Sequence, residues 1–201
     1  MNQMTDTELM ITFQKGNTHA FELLFEKYRN PIFNFIYRML NFDHDAAEDL
    51  MQEVFVKVCK GRDLYQPRAK FSTWLFAITR NHCLNFIKSK LYMQGQKTTS
   101  LNAPVRNDAQ STLQDLIPSS TSSTTEAESR DLGLLLDRAI VALPDGYKEV
   151  FLLHAIEGFT HQEVGNMLEL NTATVRTHYH RARRMLRQTL DRILDKDGDQ
   201  S

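Results

Sequence analysis

Residues 160–187, THQEVGNMLELNTATVRTHYHRARRMLR, decide how the C-terminal part of this 201-residue chain folds. Thr160 stands three residues before Glu163, the reciprocal capping pair that starts a helix, and Val164, Met167 and Leu168 then fall on one inward face. Leu170 and Asn171 make a turn. A second helix is expected from Thr172 or Thr174, burying Val175, Tyr179, Ala182 and Leu186 at steps of four, three and four. Between residues 176 and 192 stand six arginines and one acid, Asp191, a local charge that a phosphate surface neutralises. A capped helix, a turn and a basic second helix form the helix-turn-helix pattern, in which the front of the second helix enters a major groove. The candidate contacts are Thr174, Arg176, Thr177, His178, His180, Arg181, Arg183 and Arg184. Arg176, Thr177, His180 and Arg181 are expected at base edges, with phosphate contacts among Arg183, Arg184 and Arg187.

A second segment, residues 71–90 (FSTWLFAITRNHCLNFIKSK), combines an aromatic cluster with a polar and basic face. Phe71, Trp74, Leu75 and Ile78 recur at helix spacing and Leu84, Phe86 and Ile87 extend the apolar set. Thr73, Arg80, Asn81, Asn85 and Lys88 supply donors for bases or phosphates. With Arg68, Lys70 and Phe71 at the entrance to the helix, they form a candidate surface for single-stranded or melted nucleic acid, and Trp74 is expected in the core beneath it.

Together the two segments resemble the small two-domain extracytoplasmic-function group of bacterial sigma factors, over roughly residues 6–90 and 130–195. The resemblance implies that TATVRTHYHRAR reads the minus-thirty-five promoter element, and that the element around FSTWLFAITRNHCLNF captures the melted minus-ten element. Residues 46–58, AAEDLMQEVFVKV, are similar to the family's DLxQEVF element. That similarity implies core RNA polymerase as a partner, docked through Asp49, Leu50, Gln52, Glu53 and Phe55; promoter DNA and an anti-sigma factor are the other partners implied. Where the family commonly has glycine before the turn and at the start of the recognition helix, this chain has Glu169 and Ala173, both of which suit a helical or near-helical backbone.

Apolar stripes also mark a helix ending near Gly16 and capped by Thr5 or Thr7, a long one through Leu24 and Ile36 that Pro31 should kink or restart, and one over residues 45–60. No alternating strand pattern appears. The expectation is an all-α chain of two small helical domains, 1–92 and 130–201, joined by a flexible linker at 93–129. That segment is rich in small polar residues, including PSSTSSTTE at 118–126, and buries too little apolar surface to offset its ordering entropy. About 36 flexible residues span roughly 30–36 Å.

The net charge of −1 means that positive charge is concentrated locally rather than spread over the chain. No apolar run approaches the ~20 residues of a membrane span and the N-terminus lacks a signal-peptide layout, so no membrane insertion and a cytoplasmic location are expected. Cys59 and Cys83 lack metal-type spacing and are expected as reduced, partly buried thiols. No phosphate-cradling glycine loop, nucleophile elbow or zinc-type histidine pair is present, so no catalytic residue, metal or cofactor is expected. The reading is a promoter-specific transcription initiation factor rather than an enzyme; the alternatives are a sigma-like decoy that sequesters an anti-sigma factor and a stand-alone helix-turn-helix regulator.

Overall fold

A computed structural model describes residues 4–93 and 125–198, with side chains at 4–91 and 133–193. Four helices build the first unit: α1 (Asp6–Gln14), α2 (Thr18–Met39), α3 (His44–Lys60) and α4 (Phe71–Met93), with a 3-10 turn at Arg62–Leu64. Each start obeys a local rule. Thr5 and Glu8 form a reciprocal capping box at α1, while Asn17 and Asp43 accept the Ala20 and Ala46 amides at α2 and α3; such caps contribute about 1 kcal/mol apiece. Helix α2 runs through Pro31 without the restart that is one of the two expectations there. Ile32, Phe35 and Ile36 just beyond the proline are fully buried, and burial worth about 1.5–3 kcal/mol per large apolar side chain offsets the one hydrogen bond that proline removes.

The second unit comprises α5 (Thr125–Val141), α6 (Asp145–Phe151), α7 (His161–Leu168) and α8 (Thr172–Gly198), with a π-helical segment at Leu152–Ile156 continuing α6. Helix α5 begins inside the expected linker, because Glu126, Ala127 and Glu128 are good helix formers placed directly before an apolar stripe; the rest of that linker, 94–124, lies outside the described residues. Ile140, Val150, Leu152, Leu153, Val164, Val175 and Ala182 form the core of this unit. All eight α-helices of the described residues belong to one or other unit, and no strand occurs among those residues. None of the described helices is long and apolar enough to cross a membrane.

The units touch. Phe76 stacks edge-on against Phe35 at 5.5 Å on one side and against Phe159 of the second unit at 5.1 Å on the other. Cys59 is half-buried and Cys83 buried, both as free thiols; burial pushes the Cys83 thiol up to about 12.

Candidate nucleic-acid interface

The geometry of α8 begins in the turn before it. Thr160 and Glu163 cap α7 reciprocally, at 2.9 and 3.2 Å. The chain reverses through Glu169, whose φ of 56° and ψ of 38° are left-handed. This corrects the expectation of a near-helical residue there: the turn demands the conformation that glycine adopts freely, and glutamate holds it at a cost of about 1–2 kcal/mol. The Leu170 amide then bonds back to the Gly165 carbonyl at 2.9 Å. Gly165 has no substitute, because a Cβ there would lie 2.6 Å from the Leu170 carbonyl oxygen. Asn171 closes the turn by accepting the Thr174 amide at 2.7 Å, so α8 starts at Thr172.

From that start, 100° per residue sorts the side chains. Val175, Ala182 and Leu186 are buried and Tyr179 half-buried, as the spacing predicts. On the opposite side Arg176, His180, Arg183 and Arg187 line one flank of an exposed arc, and Thr177, Arg181 and Arg184 the other. Two of the cations are propped from beneath: Arg181 donates to the Tyr147 hydroxyl at 3.2 Å, and Arg183 lies 5.7 Å over the Tyr179 ring. Thr177 donates to the Ala173 carbonyl at 3.0 Å, leaving its oxygen lone pairs for a ligand. Thr174 is half-buried beside the cap. His178 departs from the expected set: it packs edge-on against Tyr147 at 5.0 Å with Nδ1 enclosed, off the exposed arc. Close by, His154 donates from Nδ1 to the Phe159 carbonyl at 2.7 Å and packs at a tilt against His161, ring centroids 4.0 Å apart.

In the first unit, Asn81, Asn85 and Lys88 are exposed on α4, and Thr73 and Arg80 half-buried; the five fall within about 140° of arc. Phe71 does not join them. Its ring is 1% exposed, edge-on to Tyr28 at 5.5 Å and to Tyr65 at 6.0 Å, so it is a core residue that offers no face to a base. Trp74 supports the same cluster, 5.3 Å from Tyr65. The loop carrying the exposed Arg68 and Lys70 is fixed by contacts that its sequence does not announce. Gln14 donates to the Arg62 and Tyr65 carbonyls at 2.7 and 2.9 Å, and Tyr65 to the Ala69 carbonyl at 2.9 Å.

On α3, Asp49, Gln52 and Glu53 are exposed, while Leu50 and Phe55 turn inward with Ala47, Val54 and Val58. Phe55 is thus a wall rather than a protruding anchor, held edge-on by Phe25 at 4.8 Å. The apolar surface there is instead a groove lined by Phe21, Phe25, Gln52, Phe55, Val56 and Cys59, with Val56 half-exposed at its lip. Glu53 is bonded to His82 Nε2 at 2.5 Å, and His82 Nδ1 to Lys57 at 3.0 Å, which ties α3 to α4. Among the described residues no group of three or more histidine, cysteine, aspartate or glutamate side chains is arranged to hold a metal.

Residues 24–91 match the model of Sigma-70 region 2, and residues 133–186 that of Sigma-70 region 4. The chain is 32% identical over 178 residues to the extracytoplasmic-function RNA polymerase sigma factor SigW of Bacillus subtilis, covering 88% of this chain and 92% of that one. It is 27% identical to the RNA polymerase sigma-H factor of Pseudomonas aeruginosa, over 96% of this chain and 98% of the relative. Two solved structures share the fold. CnrH in complex with the cytosolic domain of CnrY aligns with a TM-score of 0.65 at 23% identity, over 92% of this chain and 97% of that one. The sigma factor RpoE of Bartonella quintana, in complex with the anti-sigma factor NepR, aligns at 0.63 and 20%, over 85% and 96%.

Proposed function

This chain belongs to the extracytoplasmic-function sigma factors of bacterial RNA polymerase, and we propose that it divides promoter recognition between its two helical units. Residues 130–201 act as the reader of the duplex minus-thirty-five element through the exposed arc of α8. Residues 1–92 hold the melted minus-ten strand on α4 and dock on core polymerase through α3. The observation that carries this reading is the outward arc of arginines on a helix whose start is fixed by the Asn171 cap. Arginine to guanine in a major groove is a bidentate contact worth about 1–3 kcal/mol of discrimination.

On α4 the work is different. Extracting a base from the duplex costs a few kcal/mol, so Asn81, Asn85 and Lys88, with Arg68 and Lys70 on the loop, stabilise the open state once it is sampled. Promoter opening is then a population shift, with no covalent step performed by the chain. Docking uses the charged rim of Asp49, Gln52 and Glu53 beside the apolar groove. The chain works in the cytoplasm, where polymerase and promoter are. An anti-sigma factor is a further partner, by analogy with the relative solved in such a complex.

Reconstitution with core polymerase tests the division. Asn81→Ala should leave core binding and upstream duplex binding nearly intact while lowering the permanganate reactivity of unpaired thymines. Asp49→Arg or Glu53→Arg should weaken core binding with helicity unchanged, since like charge across an interface costs several kcal/mol. An Asn81→Ala protein that opens the promoter as well as the parent, or that already fails at core binding, overturns the assignment.

A further inference from the structure

The basic helix α8 is braced by a residue from outside the helix-turn-helix. Tyr147 stands in the first turn of α6, where its amide and that of Lys148 both donate to the Pro144 carbonyl at 2.9 Å. Its ring is half-buried against the core of the second unit. On α8 it meets two residues one turn apart. His178 packs edge-on to it at 5.0 Å, and Arg181 donates from Nη1 to its hydroxyl at 3.2 Å. A spacing of three puts His178 and Arg181 on one side of the helix, so the ring of Tyr147 is fixed by the first and its hydroxyl reaches the second.

We infer that Tyr147 is a positioning residue for promoter binding, whose hydroxyl presets the Arg181 guanidinium for the DNA groove. Resting on the reading of α8 as the duplex surface, this role adds to that surface a residue of the preceding helix. A guanidinium presents its donors along the edges of a rigid plane. A contact at Nη1 leaves free the edge formed by the Nε and Nη2 hydrogens, and that edge can make the bidentate contact with guanine O6 and N7. The hydroxyl therefore holds Arg181 without consuming the pair of donors that reads a base.

The gain is preorganisation. A long side chain loses rotamer freedom when it binds, and the loss is smaller for one already held. Tyr147 can hold it because the ring has little freedom of its own: it lies against the core on one side and on the other against His178, whose Nδ1 is enclosed. Arg176 and Arg184 are exposed on the same helix and have no hydrogen bond or ion pair among the described residues. The brace thus distinguishes Arg181 from its neighbours, and its removal should be felt where Arg181 binds and nowhere else.

The test reconstitutes the full-length chain with core polymerase and offers it duplex fragments of randomised sequence; the bound fraction is sequenced to give the base preference at each position. Tyr147→Phe keeps the ring against His178 and removes only the hydroxyl, so helicity by circular dichroism and core binding should match the parent. Preference at one position should fall about threefold, the effect of a single exposed hydrogen bond between a charged and a neutral group, while the position relaxed by Arg176→Ala stays unchanged. Arg181→Ala should relax the same position as Tyr147→Phe, and combining the two should add nothing further, the non-additivity of residues that act as a pair. A Tyr147→Phe protein with the parent's preferences and affinity overturns the proposal. So does a loss that adds in full to that of Arg181→Ala, which would make the hydroxyl a phosphate contact in its own right. A loss spread evenly over all sequences, and absent once Arg181 is alanine, leaves the positioning role standing and refutes Arg181 as a base reader. An Arg181→Ala protein that binds and selects as the parent does overturns both.

Discussion

The two surfaces assigned to DNA differ in what their cations are doing. On α8 the arginines at 176, 181, 183, 184 and 187 make no ion pair among the described residues and stand out from a helix fixed by its own turn. On α4 and its loop, Arg80 and Lys70 are already bonded to carboxylates from across the chain. The first surface is preorganised by local contacts and ready for a ligand. The second is set by long-range contacts, and its ligand must displace a resident carboxylate. The same residue types thus serve one site that recognises and another that waits.

The largest effect should come from breaking the local site at its turn. Gly165→Ala forces a Cβ against the Leu170 carbonyl, and overpacking of this kind costs about 1–3 kcal/mol or more. Duplex binding by the second unit should be lost, and its thermal transition should fall by several degrees. Chemical shifts of the first unit should stay near those of the parent; equal loss in both would mean that the units do not fold separately.

Within the arc itself, Arg176→Ala or Arg181→Ala should relax preference at particular bases by about 1–3 kcal/mol. Arg187→Ala should instead weaken all sequences alike and reduce the salt slope by about 0.9. Binding to a panel of singly substituted duplexes at several salt concentrations distinguishes the two. Arginine variants with unchanged selection and salt dependence would remove α8 from the assignment.

Stability should also respond to pH. Burial pushes the Glu157 carboxyl up to about 7, with Arg38 only partly opposing it. Burial likewise raises Glu149, outweighing the attraction of Arg80, and lowers Lys148. A carboxyl with a raised pKa binds its proton more tightly folded than unfolded, so stability should fall as pH climbs from the ordinary carboxylate range through about 7. Melting temperature across that window should decline for the parent and run flatter for Glu157→Gln; parallel curves would exclude Glu157 as the source.

The smallest effect should be a gain. Glu169→Gly relieves a left-handed non-glycine backbone, and after the added freedom of the unfolded chain is counted it should stabilise by about 1 kcal/mol or less. Chemical denaturation reads the change, and a loss of stability would show that Glu169 contributes more through its side chain than its backbone costs.

What the sequence made legible follows the same division. Capping residues at Thr5 and Thr160 act within three positions, and Val175, Ala182 and Leu186 repeat at a spacing that any α-helix must honour, so both were readable by eye. Phe76 was not, because it lies off the α4 stripe and is buried by Phe159 from eighty-three residues away. Phe71 carried the opposite error: its position at the helix entrance looked exposed, yet Tyr28 and Tyr65 enclose it. Nothing in DGYKEVF announces that Asn41 and Arg80 will cover Lys148 and Glu149. Leu50 and Phe55 belonged to a motif recognised as a whole, and only the helical phase of α3 separates its outward residues from its inward ones.

The carboxylates seated on Lys70 and Arg80 also bear on how such a protein spends its time in a cell. A chromosome offers about 10⁶–10⁹ non-specific sites, and every free cation adds to the residence of a protein on them. A chain that keeps two cations satisfied internally drifts off bulk DNA sooner. It spends correspondingly more of its time in the pool from which polymerase recruits.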